Sequence, residues 1–173
     1  RAEESMKVLA LEAIDLEAEL ANERINSYYD TFMVDSKVLD TTFNQTGLVE
    51  KFANIEGKKI IFAQDREFVF QSTNVSYYFY FLNKDGECGR LGLDDLFKTS
   101  DFDIYTYVDS GMIYYTNTSF KGTLMTDLLG DNFNIKENLG EDENFTRVYN
   151  VLDERGVIAS TNLYGNVYLA TFI

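Results

Sequence analysis

The sequence predicts an α+β fold: a long N-terminal helix packed on a central antiparallel sheet of five to seven strands, with short helices and loops on the sheet's other face. Three observations carry that expectation. Residues 2 to about 33 are rich in Ala, Leu and Glu and contain neither Gly nor Pro, so nothing interrupts a helical ladder. From Lys58 onward the apolar spacing changes from helical to alternating, the period of a strand. Three segments then share one plan: an aromatic or β-branched run, a turn built on Asp and Gly, and a second such run.

The first helix carries Met6, Leu9, Ala13, Leu16 and Leu20 at 3-4-3-4 spacing, which aligns them on one face. A second stripe through Leu11, Ile14, Ala18, Ile25 and Tyr29 widens the apolar side. Packing on the protein's own sheet accounts for both stripes. A homodimer through this helix is the sharper reading, although two heptads are fewer than a coiled coil needs. The stretch "DSKVLDTTFNQTGLVEKFANIEG" suggests a second helix, N-capped by Asp35 or Ser36, with Val38, Leu39, Val49 and Phe52 facing inward. Thr41, Thr42 and Gly47 weaken its middle, and a break is expected between Asn44 and Gly47. Residues 1–55 thus read as a helical segment and 58–173 as the sheet, all in a single domain.

The hairpin turns are Asp85-Gly86, Asp109-Ser110-Gly111 and Asp153-Glu154-Arg155-Gly156, where Gly supplies positive φ and Asp bonds its own backbone. "KKIIFAQDREFVFQS" precedes these hairpins and "YGNVYLATFI" follows them as further strands. Two short helices interrupt the sheet, at "GLDDLFK" and at "GTLMTDLLGD", the latter with Thr123 as N-cap and Gly130 as stop. "NFNIKENLGEDEN" is polar and aperiodic and reads as a surface loop.

"SYYFYFLNKDG" sets five aromatic residues in a row. Alternation places Tyr77, Phe79 and Phe81 on one face and Tyr78 and Tyr80 on the other. That split suits a central, covered strand with one dry face and one facing polar groups, since each tyrosine hydroxyl wants a partner. Ile104, Thr106 and Val108 alternate with Tyr105 and Tyr107 in the same manner. Such tyrosines either half-cover a sheet or line a pocket.

Composition excludes several chemistries. The net charge of −14 repels phosphate backbones, so no nucleic-acid partner is expected. There is no His, Trp or Pro, whereas average usage gives roughly eight or nine prolines in this length. Without His there is no Ser-His-Asp triad and no zincin site. Cys88 is alone, so neither an intrachain disulfide nor a thiolate zinc cluster forms. No apolar run reaches the roughly 18 residues of a membrane span, and no signal peptide opens the sequence. "GNVYLATFI" stops inside a strand-like run, as the cut end of a longer chain would.

Local motifs are few. "NKDGE" resembles part of a calcium loop, but the first ligand position falls on Phe81, so it reads as a turn. Asp94-Asp95, Asp101/Asp103 and Glu141-Asp142-Glu143 are acidic groups without ligand spacing. Sequons at Asn44, Asn74, Asn117 and Asn144 fit an Asn-rich composition. "YYTNTSFKG" delivers Asn117, Thr118, Ser119 and Lys121 to a strand-to-helix connection, where hydroxyls, an amide, a cation and helix N–H groups suit a carboxylate. The plainer reading is that these groups cap that helix and hydrate the loop. Arg66 and Arg147 are isolated cations in strand-like stretches and require anionic partners.

The long first helix, the "DIYTYVDSGMIYYTN" hairpin and the final "GNVYLATFI" strand together resemble the extracytoplasmic PAS-like sensor domains of the Cache type, found in bacterial diguanylate cyclases, chemoreceptors and histidine kinases. The resemblance covers nearly the whole chain and rests on pattern. It implies a PAS-like sheet, a place between two membrane spans that flank this chain, and a small metabolite held between sheet and covering loops. It implies no catalysis by this fragment, no cofactor and no metal. The lack of Trp departs from many members, and the amino-acid-binding motif of one subset is not placed on this chain. The candidate ligand contacts are Tyr105, Tyr107, Tyr115, Asn117, Ser119, Lys121 and Arg66. The alternative is a secreted or surface protein-interaction module without a small-molecule ligand, and a carboxylate-only enzyme comes third.

Overall fold

The computed structural model describes residues 2–43, 52–55, 57–65, 68, 76–97, 99–130, 144–151 and 154–173. The chain is α+β, but the described residues build two five-stranded antiparallel sheets where one sheet of five to seven strands was expected. Contacts divide it into two compact units, one of Glu23–Leu96 and one of residues 1–22 with 97–173. The miscount begins just after the first helix. Asp35 does cap, accepting from Lys37 N at 3.0 Å, but only a 3-10 turn over Ser36–Val38 follows. Strand β1 (Asp40–Phe43) then starts where a helix was expected, because the β-branched pair Thr41 and Thr42 prefers a pleated backbone. Val49 lies outside the described residues.

Helix α1 runs over Ala2–Val34, 33 residues, or about 50 Å at 1.5 Å per residue. Its buried line is Ala10, Ile14, Ala18, Ala21, Ile25 and Phe32, which includes part of the second stripe. The first stripe is largely outside: Leu9 is 59% exposed and Leu16 55%. The helix turns its alanines inward because small side chains let a backbone come close. Asn22 Nδ2 donates to Leu163 O at 2.8 Å on this side.

In the Glu23–Leu96 unit, β1 is joined by β2 (Ala53–Ile55), β3 (Lys58–Gln64), β4 (Tyr77–Leu82) and β5 (Glu87–Gly92), in the order β1-β5-β4-β3-β2. The aromatic run is therefore the middle strand. Phe79, Tyr80 and Phe81 are fully buried. Phe81 meets Tyr29 edge-on at 5.4 Å and Phe32 at 6.3 Å, both from α1. On the opposite face Tyr80 stacks on Phe68 at 4.0 Å. Across from Phe81 on β5, Gly89 lies under the Phe32 ring, and a Cβ there would stand 2.6 Å from Phe32 Cε1. Phe32 is itself fully buried, so it cannot swing away. Gly89→Ala is expected to cost about 1–3 kcal/mol by overpacking, read as a lower urea midpoint at unchanged slope.

The second sheet holds β6 (Ile104–Val108), β7 (Ile113–Thr116), β8 (Asn144–Val151), β9 (Glu154–Tyr164) and β10 (Val167–Phe172), in the order β7-β6-β10-β9-β8. Both sheets share one connectivity. The first strand pairs with the last, the last with the fourth, and the fourth with the third; only the second strand changes edge. Short helices α2 (Leu93–Phe97) and α3 (Met125–Leu129) fall where the sequence placed them. Leu124 rather than Thr123 is the N-cap of α3, with Asp127 Oδ2 accepting from Leu124 N at 3.1 Å, and Gly130 ends it at φ 92. The polar stretch 131–143 lies outside the described residues.

Candidate functional site

The residues singled out in the sequence do not gather in one place. Tyr105 and Tyr107 point into an apolar cluster with Met125, Leu128, Leu129, Ile158 and Ala170. Tyr107 OH and Ser160 Oγ share a hydrogen bond of 2.5 Å, and Ser160 Oγ also donates to Leu169 O. Burial raises the Tyr105 phenol, with the Asp103 charge adding to the rise and a bond to Thr118 opposing it. Tyr115 pairs across the sheet with Thr106, so it occupies the opposite face from Tyr105. There it stacks on Phe97 at 6.0 Å. Asn117 is committed to the backbone, accepting from Ile104 N and donating to Phe102 O. Thr116 and Thr118 hydroxyls bond each other and the loop N–H groups of Thr118 and Phe120. Ser119 and Lys121 are exposed. Arg66 lies outside the described residues, as does the Arg147 side chain.

A cleft of about 470 Å³ opens in the other unit, lined by Tyr28, Val38, Leu39, Asp40, Tyr78, Arg90, Gly92, Asp94 and Asp95. Its framework follows from the sheet register. Arg90 on β5 faces Asp40 on β1 and Tyr80 on β4. Its guanidinium reaches Asp40 Oδ2 at 3.0 Å and lies 3.7 Å from Asp65 Oδ2. The same group sits 4.5 Å over the Tyr78 ring, where the π-face attracts a cation. Asp65 is buried to 2% exposure and supplies the anion that a mostly buried arginine requires. Nearby, Asp94 and Asp95 fold back over Gly92 from the first turn of α2. A Cβ on Gly92 would lie 2.7 Å from Asp94 Oδ1, 3.6 Å from Tyr78 Cε1 and 3.7 Å from Asp95 Oδ2. The absent side chain is what admits two carboxylates beside the ring. Burial, reinforced by the Asp65 charge, raises the neighbouring Tyr80 phenol well above its usual value, so that hydroxyl keeps its proton.

Cys88 shares the Tyr80 face of the sheet in a cluster with Ala63 and Phe68. Burial pushes its thiol up to about 12. The folded state therefore favours the protonated form, and its stabilising effect, complete below the unfolded thiol's ordinary range near 8.5, is lost as pH rises toward 12. Unfolding free energy is expected to fall steadily above about pH 9. At pH 8 an aromatic disulfide reagent is expected to label Cys88 only after denaturant is added. Fast labelling of the native chain would contradict the buried placement.

The "NKDGE" turn is closed by Asn83, whose Oδ1 accepts from Asp85 N at 3.0 Å and Glu87 N at 2.9 Å, and Gly86 takes φ 79.

The cleft was partly readable. Arg90 sits inside the run "ECGRLG", and the rule that selected Arg66 and Arg147, a cation within a strand, selects it equally. Asp94-Asp95 was noted as a pair, but its approach to Tyr78 depends on the β4–β5 register. Compared with models of protein families and with curated proteins, the chain matches none of them.

Proposed function

We propose that this chain is a non-catalytic, ligand-sensing domain of a bacterial membrane signalling protein, facing out of the cell and binding a small metabolite in the Tyr78–Arg90 cleft. The observation that carries this reading is the cleft itself. Its volume of about 470 Å³ is within the usual range for small-molecule sites, and the Tyr28 and Tyr78 rings line it together with the charged groups of Asp40, Arg90, Asp94 and Asp95. Tyr28 comes from α1, while Tyr78 and Arg90 come from the sheet. A ligand touching all three favours one arrangement of helix and sheet over another. It shifts that equilibrium only as far as its affinities for the two differ, and α1 carries the shift toward a flanking membrane helix. The resemblance to PAS-like Cache domains supports the same reading, with the ligand held on a sheet under its covering segments.

The test is a thermal-shift screen of the purified domain against amines, amino acids, carboxylates, purines and sugars. At a hundredfold excess over Kd a ligand adds about 2.7 kcal/mol of stability, a shift of several degrees. Binding that Tyr78→Ala and Arg90→Ala both weaken supports the cleft. Binding indifferent to both variants, or a flat response to every class, counts against it.

A second reading, a protein-interaction module, draws on the exposed Val8, Leu9 and Leu16 of α1. Leu9 and Leu16 are one heptad apart and share a face. Sedimentation of the domain and of Leu9→Glu/Leu16→Glu decides it: this reading requires a dimer that the double variant dissociates.

A further inference from the structure

One wall of the Tyr78–Arg90 cleft is held far less firmly than the others. Val38, Leu39 and Asp40 line it, and they belong to the 3-10 turn and the edge strand β1, residues 36–43. No residue from 36 to 43 is buried, and Val38 and Phe43 stand 38% and 72% exposed. The strands beside it are anchored: β4 buries Phe79, Tyr80, Phe81 and Leu82, and β5 buries Cys88 and Leu91. We infer that residues 36–43 form a strap that undocks from β5 as a unit while the rest of the sheet stays folded, and so opens and closes the cleft. This rests on the sensing reading above and adds the element that controls access.

The strap's bonds suit such a motion. Thr41 Oγ1 lies 2.7 Å from both Ser36 O and Leu39 O as their donor. These bonds stay inside the strap, so turn and strand move together. At the N-terminal end Asp35 accepts from Lys37 N at 3.0 Å and gives its own N–H to Thr31 O at 2.7 Å, which fixes a hinge at the end of α1. The side-chain tie to β5 is the pair of Asp40 and Arg90 at 3.0 Å, and the Asp40 side chain is 72% exposed. Exposed pairs of this kind contribute little. Breaking it leaves no buried charge without a counterion. Asp40 passes to water, while Arg90 keeps Asp65 at 3.7 Å and the Tyr78 ring at 4.5 Å. With no buried side chain of its own to expose and an edge ladder open to solvent on one side, the strap belongs to the part of a fold that opens locally.

Hydrogen exchange of the ¹⁵N-labelled chain tests the motion. The β1 amides bonded to β5 are expected to exchange at least a hundredfold faster than those of residues 78–81, with little dependence on dilute urea, the sign of a local opening. Asp40→Asn is expected to speed the β1 amides about two- to fivefold and to leave β4 unchanged. Exchange of β1 in step with β4, with the same urea dependence, overturns the strap. A tether tests the gating. Thr42 lies opposite Cys88, the chain's one cysteine, and cross-strand partners stand about 4.5–5.5 Å apart at Cα, within disulfide range. Thr42→Cys, refolded with oxidised glutathione, is expected to slow β1 exchange to the level of β4. With the neutral nitroxide 4-hydroxy-TEMPO as probe, the tether is expected to cut the broadening of the Tyr78 and Gly92 amides at least twofold. Reducing the bond restores it, and the Gly86 amide in the β4–β5 turn is expected to stay constant throughout. Broadening that ignores the tether overturns the gating, and two thiols that fail to join contradict the β1–β5 register on which the strap is drawn. In either case the metabolite screen judges the sensing reading separately, since a ligand that binds the tethered and untethered chains alike leaves that reading standing.

Discussion

Phe81→Ala is expected to lower the unfolding free energy by about 3–5 kcal/mol, the usual cost of emptying a fully buried aromatic position. The ring has no exposed surface and sits in the centre strand of its sheet, between Tyr29 and Phe32 of α1. Neighbours cannot collapse into the void, because β4 is paired on both edges, with β3 and β5. The loss is therefore expected near the top of that range, read from urea unfolding by circular dichroism. A cost below about 1 kcal/mol would mean that the helix does not pack on this strand. Phe81→Leu, which keeps much of the volume, is expected to recover more than half of the loss.

The second large effect belongs to the other unit. Leu128→Ala on α3 is expected to cost about 2–5 kcal/mol. Leu128 is 3% exposed and packs with Tyr105 and Tyr107 on the β6 face. These two tyrosines were candidate ligand contacts, and the variant separates the possibilities. If Leu128, Tyr105 and Tyr107 form a dry core, truncation lowers stability and leaves small-molecule binding untouched. A stable Leu128→Ala variant with altered ligand affinity would assign those tyrosines to a pocket wall instead.

The long helix, the change of period near Lys58 and the turns at Asp85-Gly86 and Asp109-Ser110-Gly111 were legible because each depends on neighbours in sequence. Glu154, Arg155 and Gly156, expected in a third turn, instead already belong to β9 and pair with Val151, Asn150 and Tyr149. Gly86 and Gly111 take the positive φ, 79 and 84, that their turns demand. The aromatic run was legible for the same reason: strict alternation sends Phe79 and Phe81 to one face and Tyr80 to the other. What escaped depends on pairing between distant segments. The division into two sheets requires Asp40 to lie against Arg90 and Ile104 against Thr171, and no local signal announces either register. The inward face of α1 was misjudged because a count of large apolar residues favours Leu9 and Leu16 over Ala10 and Ala21. Close helix packing favours the smaller residue. Likewise, "TNTSF" looked available for a ligand until Asn117, Thr116 and Thr118 were seen spent on their own loop.

The central claim is that ligand binding occurs in the cleft of the Glu23–Leu96 unit. The most direct measurement is a ¹H–¹⁵N correlation spectrum of the labelled domain, recorded with and without each class of the metabolite panel. The expected result is a set of shifted amides centred on Tyr78, Arg90, Gly92 and Asp94, extending to Tyr28 on α1. Shifts centred on Ile104 to Lys121 instead, or no shifts with any class at millimolar concentration, would contradict it.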